Sequence, residues 1–264
     1  MASKIQAFHD LHRSGCFVIP NPWDPGSAVY LQKLGFKALA STSAGFAWSQ
    51  GHPDNKVTLG ALLAHLKLLA ASVTVPVTAD FEDGLASDPD GVARNVTLAV
   101  QTGIAGLSIE DSTRNAPEPL YAFDVAVDRI KAARAAIDRT GSGALLTARS
   151  EGFIAGRPDL DETIRRLKAF AAAGADCLFA PGLSNPDQVS AVVTAVAPKP
   201  VNLIAGPWIS VKDAAALGVR RLSVGGSLAR IAFTAFSKAA TEIAEQGKFG
   251  ALGGPRLDLN AIFN

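Results

Sequence analysis

The sequence is poor in the features that mark several classes of protein. It has only two cysteines, Cys16 and Cys177, and each lies in an apolar, strand-like run. We therefore expect buried free thiols rather than disulfides or metal ligands. No apolar run reaches membrane-spanning length without a polar interruption, and the first residues lack the apolar core of a signal peptide. These features predict a soluble, cytoplasmic protein with no membrane partner.

The sequence also lacks an excess of charge of either sign. The formal net charge is +1, and the sequence has no basic run with interleaved aromatic residues, so a nucleic-acid partner is not expected. No G-x-G-x-x-G stretch follows a predicted strand, which argues against a dinucleotide cofactor. No Ser/His/Asp or Cys/His arrangement is recognisable either.

What is present is a regular alternation of strands and helices. A glycine that ends a helix just before a short apolar run recurs at Gly35, Gly103, Gly174 and Gly218. The predicted strands are residues 17–20, 38–42, 75–79, 106–109, 144–148, 177–180, 201–204 and 222–224. The predicted helices are residues 27–34, 59–71, 90–101, 122–138, 161–173, 186–196, 211–217 and 228–246.

This alternation predicts the fold class. Strand-helix repeats imply parallel strands, and eight units without an added domain favour a closed (β/α)8 TIM barrel over an open doubly wound sheet. The length of 264 residues suits one such barrel. We therefore expect a single barrel domain over 1–264, with an irregular tail from about residue 247 that packs on a neighbouring subunit.

Carboxylates end two neighbouring strands. Asp80 and Glu82 follow the third strand, and Glu110 follows the fourth. The carboxyl ends of parallel strands meet at one face of a barrel, where clustered anions require a cation, and Mg²⁺ prefers oxygen ligands. On an extended strand Asp80 and Glu82 would share a face. For Asp83, Asp88 and Asp111 we instead expect helix capping.

Two further features belong to the same predicted face. Arg149 ends the fifth strand, and its guanidinium suits a substrate carboxylate or an ion pair with Glu151 or Glu110. The second strand runs into a loop of small and hydroxyl-bearing residues at 41–45, whose backbone N–H groups are candidates for holding an anion. Asp54 follows the same strand.

Five segments, in order along the chain, carry a family resemblance. They are 21–28 (NPWDPGSA), 35–45 (GFKALASTSAG), 78–84 (TADFEDG), 106–111 (GLSIED) and 148–156 (ARSEGFIAG). Together they resemble the isocitrate lyase/phosphoenolpyruvate mutase superfamily over most of the chain, roughly residues 15–247.

The resemblance implies a ligand set and an assembly. It implies a Mg²⁺ site, with Mn²⁺ as an alternative, held by Asp80, Glu82, Glu110 and, through water, Asp54. It implies a homo-oligomer, a dimer or tetramer, in which the last helix is exchanged between subunits. The substrate carboxylate is expected at Arg149 and the second-strand loop, and the predicted substrate-binding residues are Trp23, Thr42, Ser43, Ala44, Arg149 and Asn202.

The loop after the fourth strand departs from the family pattern. Family lyases carry a catalytic cysteine there, whereas residues 112–121 read STRNAPEPLY and contain none. Only Arg114 and Asn115 partly match the gating loop of the phosphonopyruvate-handling members. With Pro117 and Pro119 in it, we predict a mobile lid rather than regular structure.

The sequence predicts a Mg²⁺-dependent enzyme that acts on a small 2-oxo or 2-hydroxy carboxylate through a metal-stabilised enolate. The expected reaction is carbon-carbon cleavage, by a lyase or an oxaloacetate-type decarboxylase. The alternatives are phosphonopyruvate mutation or hydrolysis, and a metabolite-binding barrel without catalysis. The predicted catalytic residues are Arg149, Glu110 and Arg114, with Tyr121 as a further candidate acid.

Overall fold

The computed structural model describes residues 3–115, 117–254 and 256–264. In these ranges the chain forms one sheet of eight parallel strands with helices between them. The strands are β1 Phe17–Ile19, β2 Leu39–Ala40, β3 Val77–Asp80, β4 Gly106–Glu110, β5 Leu145–Arg149, β6 Cys177–Phe179, β7 Val201–Ile204 and β8 Arg221–Ser223.

The sheet is a nearly closed barrel. Its strands follow the order β1-β8-β7-β6-β5-β4-β3-β2, and every neighbouring pair is parallel. The two end strands approach each other where the Ala40 N–H donates to the Pro20 carbonyl at 3.1 Å. The predicted (β/α)8 barrel is thereby confirmed.

The helices lie where the periodicity placed them, with three additions. Those of the barrel are α2 Pro25–Lys33, α4 Leu59–Ser72, α5 Pro89–Val100, α6 Phe123–Thr140, α7 Leu160–Ala172, α8 Pro186–Val196, α9 Val211–Ala216 and α10 Ser227–Gln246. The additions are α1 Lys4–Arg13, α3 Ser43–Ser49 and α11 Leu259–Phe263.

Two of the added helices, α1 and α3, have a local cause. Ser3 caps α1 by accepting the Gln6 N–H, and Phe8 of this helix is fully buried. Thr42 caps α3 by accepting the Gly45 N–H at 3.2 Å, which ends β2 two residues earlier than predicted. The predicted loop at 41–45 therefore contains the start of a helix.

The C-terminal tail is only partly irregular. A 3-10 turn at Gly250–Leu252 follows α10, and α11 then contacts α2 of the same chain. The Glu242 carboxylate accepts the N–H groups of Gly250 and Ala251 at 2.8 Å each. Residue 255 of the predicted tail lies outside the described residues.

The sheet separates an apolar core, on its outer face, from the polar interior of the barrel. The outward-facing residues of β4 and β5, Leu107, Ile109, Leu146 and Ala148, are buried under the helices. The inward-facing ones alternate with them and include small polar residues and an arginine. The apolar core thus lies between sheet and helices, while the barrel interior is polar.

Both cysteines are free, and Cys177 is buried while Cys16 is partly exposed. In the described part of the chain, we find no helix with the length and apolarity needed to cross a membrane.

Candidate active site

A cavity of ≈ 200 Å³ opens at the C-terminal end of the barrel. Strands β3, β4 and β5 each run one residue further than predicted and end on Asp80, Glu110 and Arg149, of which Asp80 and Arg149 line the cavity. The residues at its mouth include Asn21, Thr42, Ser43, Ala44, Asp54, Asp80, Arg149 and Phe179. Deeper in the barrel, the wall includes Thr78, Ser108, Asn202, Arg221 and Ser223.

Arg149 is the centre of an ion-pair network. Its Nη1 lies 2.8 Å from Asp80 Oδ1, its Nε 2.8 Å from Glu151 Oε1 and its Nη2 3.3 Å from Glu110 Oε2. Burial opposes the charge of the guanidinium, but Glu151, Glu110 and Asp80 outweigh it and raise the pKa of Arg149 well above its usual value. The predicted ion pairs of Arg149 with Glu151 and Glu110 are confirmed.

Asp80 is held on both oxygens. Its Oδ1 pairs with Arg149, and its Oδ2 accepts the Ser43 N–H at 3.1 Å. The Asp80 N–H in turn donates to Ser41 Oγ at 2.9 Å. The first N–H group of α3 therefore binds a carboxylate of the protein itself, which couples the second-strand loop to the end of β3.

Glu82 and Glu110 share a second arginine, Arg114. Arg114 Nη2 lies 2.7 Å from Glu82 Oε2 and 4.0 Å from Glu110 Oε1. Burial raises the pKa of Glu82 to about 7, with Arg114 opposing the shift and Asp80, Asp54 and Asp83 adding to it. Burial also raises the pKa of Glu110 well above its usual value, against the effect of Arg149. For both carboxyls, the nearby arginines do not offset the effect of burial on the pKa.

The geometry at Glu82 differs from the expectation for an extended strand. β3 ends at Asp80, and Glu82 has a φ of 53°, in the left-handed region that non-glycine residues seldom adopt. Asp80 and Asp54 line the cavity, whereas Glu82 and Glu110 are buried beside Arg114. Asp80 and Glu82 therefore do not share a strand face, although the charges of Asp80 and Asp54 both contribute to the raised pKa of Glu82.

The donor set fits a hard divalent cation in its chemistry. The predicted ligands are all carboxylates, and burial, with smaller contributions from Asp80 and Asp54, raises the pKa of Glu82. Across residues 3–115, 117–254 and 256–264, no three His, Cys, Asp or Glu side chains are grouped as ligands of one ion. Instead, Arg114 and Arg149 lie among them, so a metal would have to replace part of the charge that Arg114 now supplies.

The predicted lid is a short hairpin-like loop. Ser112 and Leu120 form an isolated antiparallel bridge, and the Thr113 N–H donates to the Pro119 carbonyl at 2.9 Å. Tyr121 stacks against the guanidinium of Arg129 at 4.0 Å. Residue 116 of this loop lies outside the described residues. Among the described residues of this loop, Arg114 alone pairs with Glu82 and Glu110.

The capping predictions are confirmed once and wrong twice. Asp88 caps α5 by accepting the Gly91 N–H at 2.8 Å. Asp83 does not cap a helix, because its Oδ1 accepts from the Leu85 N–H and from Arg114, both at 3.0 Å. Asp111 accepts the Glu151 N–H at 2.8 Å, which ties the end of β4 to the residue that orients Arg149.

Most of the predicted substrate-binding residues meet at the cavity. Thr42, Ser43, Ala44, Arg149 and Asn202 all line it. Trp23 is not among its lining residues; its N–H donates to Ser27 Oγ at 3.1 Å, near the start of α2.

Sequence reasoning missed five polar residues of the wall, Asn21, Thr78, Ser108, Arg221 and Ser223. Asn21 bridges the barrel seam, since its Nδ2 donates to the Ser41 carbonyl and its Oδ1 accepts the Val224 N–H, each at 2.9 Å. Arg221 and Ser223 alternate along β8 and face inward. The spacing of Arg221 and Ser223, two residues apart, would have placed both on one face of β8. The predicted strand began at residue 222 and so left Arg221 out.

Fold and site together define a member of a superfamily of lyases and mutases built on the TIM barrel. The family model described as phosphoenolpyruvate phosphomutase matches residues 8–244. The chain belongs to this family. The resemblance stated from the sequence motifs is thus confirmed.

Individual relatives cover most of the chain. The oxaloacetate decarboxylase of Paraburkholderia xenovorans (strain LB400) is 32% identical over 221 residues, which are 80% of this chain and 71% of the relative. A solved structure from Burkholderia cenocepacia J2315, provisionally assigned as a lyase/mutase, is 46% identical with a TM-score of 0.93, covering 98% of this chain and 95% of that one.

A third similar protein has been solved with a small diacid. Oxaloacetate acetylhydrolase in complex with its product oxalate is 28% identical with a TM-score of 0.87, covering 98% of this chain and 93% of that chain. The chain is therefore similar both to enzymes that cleave carbon-carbon bonds and to the mutase that gives the family its name.

Proposed function

We propose that this protein is a carbon-carbon lyase of small 2-oxo or 2-hydroxy carboxylates and, within that class, an oxaloacetate-type decarboxylase. The observation that carries the proposal is the polar cavity with Arg149 at the strand ends, fixed by Asp80 and Glu151. The similarity to an oxaloacetate decarboxylase and to oxaloacetate acetylhydrolase supports the same substrate class.

The proposal includes a divalent cation. Asp80, Glu82, Glu110 and, through water, Asp54 would hold Mg²⁺, with Mn²⁺ as the alternative, and the ion would supply Lewis-acid polarisation of a bound 2-oxo acid. Because Arg114 now pairs with Glu82 and Glu110, it would have to release at least one of them when the cation binds. The lid that bears Arg114 would therefore move when the site is filled.

Arg149 would bind and orient the substrate carboxylate. Its three ion pairs use three N–H groups, which leaves two of the five N–H groups of a guanidinium for the ligand. The centre of the Phe179 ring lies 5.2 Å from the guanidinium carbon of Arg149, and the ring covers one side of it. An arginine held this firmly presents its remaining donors in one direction, which orients the bond to be broken.

The available proton donors favour decarboxylation over aldol-type cleavage. Decarboxylation needs no acid in the bond-breaking step, whereas aldol-type cleavage needs a base for the departing hydroxyl. Arg114 is a poor acid or base because Glu82, Asp83 and Glu110 outweigh the effect of burial and raise its pKa. Burial raises the pKa of Tyr121 as well. Neither residue has a pKa near neutrality.

Phosphonopyruvate chemistry is the second candidate. It is supported by the family model, which is described as phosphoenolpyruvate phosphomutase, and by Arg114 and Asn115 in the lid. An anionic phosphonate would suit the same arginine. The two candidates differ in the bond cleaved and are separable by substrate.

The test is turnover of a panel of 2-oxo acids and phosphonopyruvate with and without Mg²⁺. We expect release of carbon dioxide from oxaloacetate above the rate with Mg²⁺ alone, and its loss in Arg149→Ala. Turnover of phosphonopyruvate without turnover of oxaloacetate would establish the second candidate. Tight binding of a 2-oxo acid with no turnover would establish a binding protein.

We also propose an oligomeric state and a cellular location for the protein. Helix α10 exposes large apolar side chains and buries only Ala229, so we propose that it packs on another copy of the chain in a homo-oligomer, a dimer or tetramer with this helix exchanged. A cytoplasmic location stays a prediction, which fractionation of the source cells would test.

A further inference from the structure

A second arginine, Arg221, lines the same cavity at a deeper level. It is the first residue of β8 and is 5% exposed. Its Nε donates to Asn202 Oδ1 at 2.8 Å, its Nη2 donates to Thr147 Oγ1 at 3.1 Å, and its Nη1 lies 3.4 Å from His12 Nε2. The side chain thus crosses the barrel interior from β8 to β5 and to the helix α1.

His12 supplies no negative charge to this arginine. His12 Nδ1 lies 2.8 Å from the Phe8 carbonyl oxygen, which only accepts, so the ring proton is on Nδ1. The other nitrogen, Nε2, then accepts from Arg221. Burial lowers the pKa of His12 to about 3, with Arg221 adding to the effect, so the ring is neutral.

The two arginines of the cavity differ in their counter-charge. Arg149 has three carboxylate partners, whereas no carboxylate of residues 3–115, 117–254 and 256–264 lies within ion-pair distance of Arg221. A buried cation with only neutral partners is unfavourable. A small anion beside Arg221 would remove that cost.

Donors for such an anion are present. Three hydrogen bonds leave two N–H groups of the Arg221 guanidinium. Ser223 Oγ accepts from Asn202 Nδ2 at 3.0 Å, and within the described part of the chain its own O–H has no acceptor. Ser223 also lines the cavity. A guanidinium and a hydroxyl therefore converge on the cavity floor.

We propose that Arg221 and Ser223 form a subsite for a small oxyanion, one layer below Arg149. Arg221 bonds Thr147, which precedes Arg149 by two residues on β5, and two residues of a strand span roughly 6.6 Å. Thr147, which bonds Arg221, and Arg149 are thus offset along β5 by roughly 6.6 Å, and a short diacid in the cavity would place one carboxylate at each of these two levels. The subsite deepens the proposed function and rests on it where the oxyanion is part of the substrate; free bicarbonate is the other source of the same chemistry.

The experiment measures binding, so it does not depend on turnover. Dissociation constants of malonate, acetate and bicarbonate are measured by calorimetry at fixed Mg²⁺ for the full chain, Arg221→Gln, Arg221→Lys and Ser223→Ala. Arg134→Gln is the control, since Arg134 pairs with Asp138 and Asp176 away from the cavity. Ser223→Ala removes one donor without changing a charge, which keeps the test informative if Arg221→Gln does not fold.

We expect the wild type to bind malonate at least about tenfold more tightly than acetate, and Arg221→Gln to lose that advantage while acetate binding is unchanged. Arg221→Lys should recover part of it, Ser223→Ala should weaken malonate binding several-fold, and Arg134→Gln should match the wild type. Arg221-dependent binding of bicarbonate, without a malonate advantage, would support the subsite with a free anion.

Two outcomes would overturn the subsite. One is that Arg221→Gln weakens malonate and acetate equally, which indicates a role in the fold alone. The other is that neither malonate nor bicarbonate binding depends on Arg221 or Ser223. A protein that binds malonate through Arg221 but does not decarboxylate oxaloacetate would refute only the proposed reaction, and the converse result would refute only the subsite.

Discussion

Arg149 is one positive charge among three carboxylate partners, so a substitution that removes this charge should lower the stability of the fold. Arg149→Met leaves Asp80 and Glu151 without a counter-charge and Glu110 with Arg114 alone, so we expect a loss of about 3–5 kcal/mol in the free energy of unfolding. Arg149→Lys keeps the charge but loses the planar fork, so it should fold and lower kcat/KM for oxaloacetate by about 100-fold. Urea unfolding and steady-state kinetics measure both effects.

The control for Arg149 is an exposed arginine. Arg165 pairs with Glu162 at 2.6 Å on the surface of α7, and Arg165→Lys should leave the stability nearly unchanged because exposed ion pairs contribute little. Wild-type turnover in Arg149→Lys would show that the substrate carboxylate is bound elsewhere.

His12 gives the stability of the fold a dependence on pH. Burial lowers the pKa of His12 from 6.5 to about 3, so the folded state binds this proton less readily than the unfolded state. Its stabilising contribution is complete above pH 6.5 and declines as the pH falls towards 3, by up to about 1.4 kcal/mol per pH unit. The stability difference between wild type and His12→Gln should therefore shrink between pH 7.5 and pH 4.5.

Urea unfolding at several pH values measures that difference. His65 is the matched control, because burial also lowers its pKa, to about 4, but it stacks on Phe46 rather than contacting Arg221. His65→Gln should show the same direction of change. A stability difference for His12→Gln that is constant with pH would contradict the buried neutral ring.

At the scale of elements, the loop 112–121 is held to the strand ends by Arg114. We expect Arg114→Gln to speed amide hydrogen exchange at Thr113 and Tyr121, whose N–H groups donate to Pro119 and Asp111 within and beside the loop. Mg²⁺ together with oxalate should slow exchange of the loop in the wild type. Equal exchange rates with and without these ligands would show that the loop does not act as a lid.

The elements also show where prediction from sequence succeeds. The strands and their flanking helices follow from apolar periodicity and from glycines that end helices, so all eight strand-helix repeats were predictable. Helix α3 was not, because its cap Thr42 and its first residues, Ser43 to Gly45, have the composition of a turn. Arg221 was missed because its burial depends on contacts with Asn202 and Thr147, far away in sequence.

At the scale of the whole molecule, the apolar surface is unevenly distributed. On α10, Phe236 is 68% exposed, Phe233 and Ile243 are exposed on the same face of the helix, and Ile231 is 66% exposed on another face. The helix is thus amphipathic, but within the described chain its apolar side is uncovered. A second copy of the chain would bury this surface, and exchange of the helix would do so symmetrically.

We therefore expect the wild type to be a dimer or tetramer by size-exclusion chromatography with light scattering, and the double variant Ile231→Asp/Phe236→Asp to be smaller. Two carboxylates placed in an apolar interface would lose hydration without gaining partners, so association would weaken. Leu98, on α5, is 43% exposed, and Leu98→Asp is the control that should keep the wild-type mass. A monomeric wild type at micromolar concentration, or an unchanged mass in the double variant, would refute the interface, and α10 would then have to be covered by other means.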